Sequence, residues 1–244
     1  MPSRAQILIF IRNLFRILGL EVRFRSLKSS FDLRLRHFIK IYEIDNVYDI
    51  GANKGQFLKQ ILSFNFKGKV NCYEPIPSAA RYLTDFTEQN ANVRVFNFAL
   101  SNSQGRQKFY ITTDLASSSL LESSQIVDYS SGRASIVDEI EVAVHRLDDL
   151  KHIFGDGERN FMKIDVQGSE LAVLEGARLT LKNCVMVLIE VSLTELYAGQ
   201  SKFDEVIAFM LAEGFKVLDL FDSFRSETDG SLLQADMLFV RNVN

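Results

Sequence analysis

The chain has 244 residues, 47% of them hydrophobic and 24% charged, and a formal net charge of −3. That balance is ordinary for a soluble globular protein, and the length suits one large domain or one domain with an extension. Such a chain buries enough surface to need no staples. Its two cysteines, Cys72 and Cys184, are too few and too far apart for a disulfide framework or a cysteine-ligated zinc site. Both lie in apolar runs as small hydrophobes, so the chain reads as belonging to a reducing, cytoplasmic compartment.

Charge is unevenly spread. Residues 1–40 hold nine Lys/Arg against Glu21 and Asp32, a local charge of +7 that leaves −10 for the rest. Segregation of this kind marks a surface for an acidic partner. Residues 5–20 are too short and too interrupted to span a bilayer. On a helical wheel Ile7, Leu8, Phe10, Ile11, Leu14, Phe15, Ile17 and Leu18 share one half, and Gln6, Arg12, Asn13 and Arg16 the other, with Ile9 the exception. This predicts an amphipathic helix. Phe31, Leu35, Phe38, Ile39 and Tyr42 have the spacing of a second. Two partners are open for this N-terminal helical extension, residues 1–45. One is a protein surface, its own domain or a second copy in a homodimer; the other is an anionic membrane met peripherally. Two amphipathic helices in tandem favour a packed protein cap.

From residue 46 strands and helices alternate. Strands are expected at Val47–Ile50, Val70–Tyr73, Val93–Phe98, Phe161–Ile164 and Val185–Val191, with helices at 56–64, 78–89 and from about Glu170. The alternation predicts an α/β fold, a doubly wound and mostly parallel sheet over residues 46–244. Val185–Val191 is nearly all apolar, as a parallel strand buried on both faces is. Ser201 and Asp204 read as the capping pair of a helix that Gly214 ends. Phe215–Leu220 and Met237–Arg241 are separated only by a polar loop with Asp229 and Gly230, so the last strand is expected to return antiparallel. Residues 107–149 interrupt the alternation with two strand-like runs, 108–112 and 139–145, around a serine-rich stretch.

The functional signal is the run V-Y-D-I-G-A-N-K-G at 47–55. In an open parallel sheet, ligands bind beyond the C-terminal strand ends. A glycine at 51 lets the backbone approach a ligand, and the helix after Gly55 offers free N–H groups to a carboxylate. Asp49 suits an ammonium group. Glu74, in C-Y-E-P at the end of the next strand, suits two ribose hydroxyls. Together they fit a ligand with a ribose, an amine and a carboxylate. A dinucleotide fits less well, because its pyrophosphate asks for G-x-G-x-x-G and the spacing here is G-x-x-x-G. Taken singly, each residue also has a plain structural role: the glycines as turn formers, Asp49 as a helix cap, Glu74 as a solvated strand end. No His/Asp/Glu cluster has zinc-ligand spacing, so no metal is assigned.

The chain resembles the FkbM-type S-adenosylmethionine-dependent methyltransferases, within the class I Rossmann-like group. The resemblance rests on V-Y-D-I-G-A-N-K-G-Q-F (47–57), Y-E-P-I-P (73–77), N-F-A-L-S (97–101), S-S-S-L (117–120), H-R-L-D-D-L (145–150), F-M-K-I-D-V-Q-G-S-E-L-A-V-L-E-G-A (161–177) and V-L-I-E-V (187–191). It covers about residues 46–241. It implies a seven-stranded sheet with an antiparallel last strand, and S-adenosyl-L-methionine held by Asp49, Gly51, Asn53, Gly55, Glu74 and Ala99. It implies O-methylation of a hydroxyl on a sugar, glycan or other small molecule. One departure is Gln167, where the family often has glutamate; the change removes a charge beside the site.

Displacement at a sulfonium methyl has a neutral leaving group, so alignment is the enzyme's main task. A hydroxyl nucleophile gains further from a base within hydrogen-bond reach. Asp165 and Glu190, at the ends of the fourth and fifth strands, are the expected catalytic residues. Asp165 also reads as a cap for the helix near Ser169. His145 is another candidate base, or a surface strand residue. Lys163 supports the site or pairs with Glu170. The serine-rich segment 117–135 suits a cover over the acceptor. The acidic domain argues against a nucleic acid partner. Two other classes stay open: a nucleotide-dependent oxidoreductase on a similar sheet, and a cofactor-binding protein without catalysis that acts through its N-terminal helices.

Overall fold

Alternation from residue 46 produces a seven-stranded sheet, with a second sheet of three strands beside it. The structure is a computed structural model that describes residues 3–20, 25–123, 135–150 and 159–242. The chain divides into two units, Met1–Ile41 and Tyr42–Asn244.

In the first unit, α1 spans Arg4–Ile17 and α2 spans Phe31–Ile41. Ser3 caps α1: its hydroxyl accepts from the Gln6 N–H, and the Gln6 side chain accepts from the Ser3 N–H. This reciprocal pair satisfies two of the free donors at a helix start. Leu8, Ile11 and Phe15 are half-buried, whereas Ile7, Ile9, Phe10, Leu14, Ile17 and Leu18 stay exposed. In α2, Leu35 and Ile39 are buried and Arg36, His37 and Lys40 exposed, the amphipathic division its spacing predicts. Among the described residues no helix is long and apolar enough to cross a membrane.

The second unit begins with β1 (Asn46–Ile50), α3 (Gln56–Ser63), β2 (Lys69–Tyr73), α4 (Pro77–Thr87) and β3 (Val93–Phe96). After an excursion come β7 (Asn160–Ile164), α5 (Glu170–Gly176), α6 (Arg178–Leu181), β8 (Cys184–Ser192), α7 (Phe203–Ala212), β9 (Phe215–Arg225) and β10 (Leu232–Arg241). The sheet order is β3-β2-β1-β7-β8-β10-β9. Every pairing through β8 is parallel, and β10 runs antiparallel to both its neighbours, as the missing helix between the last two strands requires.

The excursion is a second sheet in the order β4-β6-β5, built from β4 (Ala99–Leu100), β5 (Gly105–Thr112) and β6 (Ile136–His145). The two strand-like runs that seemed an interruption are therefore one antiparallel pair, with Phe109, Val142 and Val144 in a core of their own beside Ile76 and Ala99.

Helices cover both faces of the main sheet. Tyr48, Ile50, Met162, Ile164, Val187 and Ile189 join Val173, Leu174, Val206 and Met210 in one cluster. The alternate residue Phe161 faces the other way and meets Phe57 of α3 edge-on, ring centroids 5.7 Å apart. At the opposite end from the predicted site, amides lock the strand starts. The Asn71 amide donates to Asn46, Asn46 to Asn160, and Asn160 to the Asn183 carbonyl. Each buried polar group finds its partner there, which is what makes the burial tolerable. Arg241 closes the C-terminal side by donating to the carbonyls of Cys184, Glu213 and Leu181.

Two local expectations are corrected. The hydroxyl of Ser201 accepts from the Leu171 N–H of α5 at 2.9 Å and does not cap α7, whose N-cap is Lys202. The third strand stops at Phe96, two residues short of the expected end.

Candidate active site

In-register pairing places the ends of β1, β2 and β7 level with the interior of β8 and β10. Ile50 of β1 pairs with Tyr73 of β2 and Ile164 of β7; Ile164 pairs with Ile189 of β8, and Ile189 with Met237 of β10. One residue beyond this row stand Glu74, Gly51, Asp165, Glu190 and Asp236. Five residues spread over 186 positions of sequence thus share one row across the sheet, just past the C-terminal ends of β1, β2 and β7, where open α/β folds bind ligands.

Gly51 has φ +77, and a Cβ there would lie 1.8 Å from the Asp165 carbonyl oxygen. The reason for glycine is therefore the contact between two strand ends, as well as its left-handed backbone. Gly55, at φ +75, is the N-cap of α3, and a Cβ there would lie 2.6 Å from a methyl of Leu83. Asn53 also has positive φ, at 46°.

The acceptors outnumber the donors. Asp49 is fully buried, and neither carboxylate oxygen makes a hydrogen bond. Its nearest cation is Lys163, with Nζ 3.7 Å away. Burial pushes the Asp49 carboxyl above its ordinary value, with Lys163 pulling it down and Asp165 adding to the rise. The side-chain oxygen of Asn53 is also buried and lacks a partner. Glu74 accepts from the Asn53 N–H at 2.7 Å and the Ile76 N–H at 2.8 Å. Its carboxyl is pushed up to about 7 by burial, against those two N–H groups. So Glu74 is a buried joint between the first two strand ends rather than a solvated one. Ala99 lies buried at the start of β4, and Asn97 reaches back to the carbonyls of Glu74 and Pro75.

Lys163 donates to the Gly51 carbonyl at 3.2 Å and pairs with Asp165 at 3.1 Å; Glu170 is not its partner. Burial works to lower its pKa, but Asp165 and Asp49 outweigh this and hold it above the ordinary value. Glu170 instead accepts from the N–H groups of Val166 and Gly168 and shapes the loop before α5. Asp165 is no cap for that helix: one oxygen takes Lys163 and the other the Gln167 amide at 2.7 Å.

Asp165 and Glu190, the expected catalytic pair, are brought together by Gln167, whose Nε2 also donates to Glu190 at 2.7 Å. Gln234 donates to the same Glu190 oxygen at 2.9 Å. Burial, with Asp165 and Asp236 nearby, raises the Glu190 carboxyl well above the ordinary range, and burial with Asp165 pushes Asp236 up to about 6. Tyr197 donates to Gln167 Oε1 at 2.7 Å and to the Ser117 carbonyl at 3.1 Å, while the Ser119 hydroxyl donates to the Gln167 carbonyl at 2.6 Å. The front of the serine-rich segment therefore packs on this loop; its residues 124–134 lie outside the described residues. His145 is not among these contacts: its ring meets Phe98 edge-on at 4.7 Å, in the second sheet. Sequence reading missed Tyr197, Gln234 and Asp236, which reach Glu190 only through the β8–β10 pairing and the loop after β8.

A cradle of buried acceptors without donors asks for a ligand that donates. The ammonium and ribose hydroxyls of S-adenosyl-L-methionine supply such donors, and its net positive charge suits a site where, among the described residues, Asp49, Glu74, Asp165, Glu190 and Asp236 have Lys163 as their shared cation. Among the described residues no group of three or more His, Cys, Asp or Glu side chains is arranged to hold a metal ion.

Strand order and the single reversed strand define a class I Rossmann-like methyltransferase fold. The chain belongs to the FkbM methyltransferase family: the Methyltransferase FkbM domain matches residues 49–217. It is 30% identical over 162 residues to the 2-O-methyltransferase NoeI of Sinorhizobium fredii, which is 63% of this chain and 66% of that protein. The chain thus spans just under two thirds of that relative's length. Its fold is similar to the crystal structure of methyltransferase FkbM from Methylobacillus flagellatus KT, with a TM-score of 0.50 and 16% identity over 80% of this chain and 44% of that one.

Proposed function

We propose that this chain transfers a methyl group from S-adenosyl-L-methionine to a hydroxyl of a sugar, glycan or other small molecule. The observation that carries the reading is the pair of buried Asp49 oxygens without a hydrogen-bond donor, beside the unpartnered oxygen of Asn53. Asp49 would receive the ammonium group, directly or through water. Glu74 would accept from the ribose; each of its oxygens already holds one N–H and keeps a lone pair for a hydroxyl. Gly51, Gly55 and Ala99 would line the cofactor's path, and the start of α3 would face its carboxylate.

When bound, the cofactor supplies an electrophilic methyl and a neutral leaving group. The chain's part is alignment and proton removal. Asp165, half-exposed at the tip of β7, would accept the proton of the acceptor hydroxyl, and Glu190 would hold a second hydroxyl. A site rich in carboxylates and amides suits a polyhydroxylated acceptor. The name of the relative, a 2-O-methyltransferase, supports oxygen as the methylated atom.

The same electrostatics disfavour a nicotinamide dinucleotide, whose phosphates would meet this carboxylate row. For α1 we propose a protein partner, its own domain or a second copy of the chain, because an apolar row of this size calls for one. The buried thiols of Cys72 and Cys184, neither in a disulfide, fit a reducing, cytoplasmic setting. The test is twofold. S-adenosylhomocysteine should raise the melting temperature where NAD does not, and radiolabelled methyl should pass to a saccharide or lipid-linked glycan pool. Stabilisation by NAD alone would overturn the proposal.

A further inference from the structure

Gln167 has a backbone that only a tertiary demand explains. Its φ is +57, in the left-handed region that non-glycine residues seldom enter, and Gly168 follows at +103. Nothing in a strand-to-helix turn requires a long amide there. The side chain, however, is fully engaged. One Nε2 hydrogen goes to Asp165 Oδ1 and the other to Glu190 Oε2, both at 2.7 Å, while Oε1 accepts from the Tyr197 hydroxyl at 2.7 Å. A primary amide has two such hydrogens, and both point at carboxylates. The backbone carbonyl is pinned as well, by Ser119.

We propose that Gln167 is a positioning residue: its one amide joins Asp165 to Glu190, favours the ionised form of Glu190, and holds Asp165 in place to accept a proton. This deepens the proposed methyl-transfer reading and rests on it for the last step only. The groups facing the pair are Lys163 and Asp49 from the β7 and β1 side, Glu170 from α5, Asp236 and Gln234 from β10, and Tyr197 from the loop after β8. Lys163 reaches Asp165 but not Glu190 by a direct contact, so the amide is the donor common to both. A hydrogen bond to the ionised form favours that form. Removing the donor must therefore raise the proton affinity of the pair. A glutamate at 167 would go further: it would put a third carboxylate between two others, with only the Tyr197 hydroxyl donating to it. At least one of the three would then hold a proton near neutrality.

The sign follows for catalysis. A base whose pKa rises loses activity at the acid side of its profile, so the acidic limb moves to higher pH. A residue that merely shaped the loop would change stability and leave that limb in place.

The experiment is a carboxyl titration of the full-length chain by NMR with carbon-13-labelled Asp and Glu, in wild type, Gln167→Met and Gln167→Glu. Gln167→Met keeps length without a donor, and Gln167→Glu keeps both length and shape. Both are expected to shift the Glu190 titration upward by about one unit or more, and Gln167→Glu to bind one further proton between about pH 5 and 8. S-adenosylhomocysteine binding, read by calorimetry on the same samples, tests the parent reading separately: its absence in wild type sinks that reading and leaves the carboxyl result standing. Either variant, folded and with the Glu190 titration unmoved, overturns the role assigned to Gln167.

Discussion

Gly51 and Asp165 meet across 114 residues of sequence, the missing side chain of one occupying the place of the other's carbonyl oxygen at 1.8 Å. The contact joins the end of β1 to the end of β7, and thus the proposed cofactor loop to the proposed base. Gly51→Ala should therefore damage the fold before it obstructs any ligand. Overpacking against backbone and a strained φ each cost about 1–3 kcal/mol. Gly199, at φ +70 with nothing within 4 Å of a built Cβ, is the control. Urea denaturation should show Gly51→Ala the less stable by at least about 1 kcal/mol. Equal losses at the two glycines would refute the clash.

Glu74 predicts opposite pH trends for stability and binding. Its folded pKa is about 7, above the ordinary 4.5. The folded chain therefore holds the proton more tightly, and the stability this lends is full below about pH 4.5 and lost as pH rises through about 7. Binding needs the carboxylate, so affinity for S-adenosylhomocysteine should fall about fivefold from pH 7 to pH 6 as the ionised fraction drops. Glu74→Gln should flatten that dependence. It should also cost about 1–3 kcal/mol in stability, because an amide donor would face the Asn53 or Ile76 N–H. Calorimetry across this range that finds constant wild-type affinity would remove Glu74 from the ribose site.

Asp165→Asn separates chemistry from scaffolding. The loop before α5 is held by Glu170, and the α5 N-terminus by Ser201, so the exchange leaves both in place. Cofactor affinity should stay within a few-fold while turnover falls by about 10²–10⁴ if Asp165 is the base. A folded Asp165→Asn protein with near-normal methyl transfer would reject that role.

The first helix offers a fourth test. Ile17 is 82% exposed and Phe10 and Leu18 each 68%, on a helix that also carries Arg12 and Arg16. Apolar area of this kind in water calls for a partner. With a second copy as that partner, the full chain should sediment as a dimer and a chain lacking residues 1–20 as a monomer. Monomers in both cases, with salt-sensitive binding of the full chain to acidic vesicles, would assign the face to a membrane instead.

Local physics made much of this protein legible from its residues in order. Period-2 and period-3.6 hydrophobicity located the helices and the main strands, because burial repeats along each element whatever its neighbours are. A helix-free link between the last two strands already required a reversed strand. Asp49, Gly51 and Glu74 were legible because a strand end, a glycine and an acid fall within one βαβ unit, and Asp165 and Glu190 because each is an acid at or near the end of an apolar strand run. Strand order and register are different in kind, being relations between segments far apart in sequence. They alone decided that Glu74, Gly51, Asp165, Glu190 and Asp236 form one row, that residues 105–145 pair into a second sheet, and that Asn46, Asn71 and Asn160 satisfy one another. Gln167 shows the limit most sharply: its partners on β8 and in the loop beyond lie 23 and 30 residues away, and only a positive φ and the packed sheet aim its amide at them.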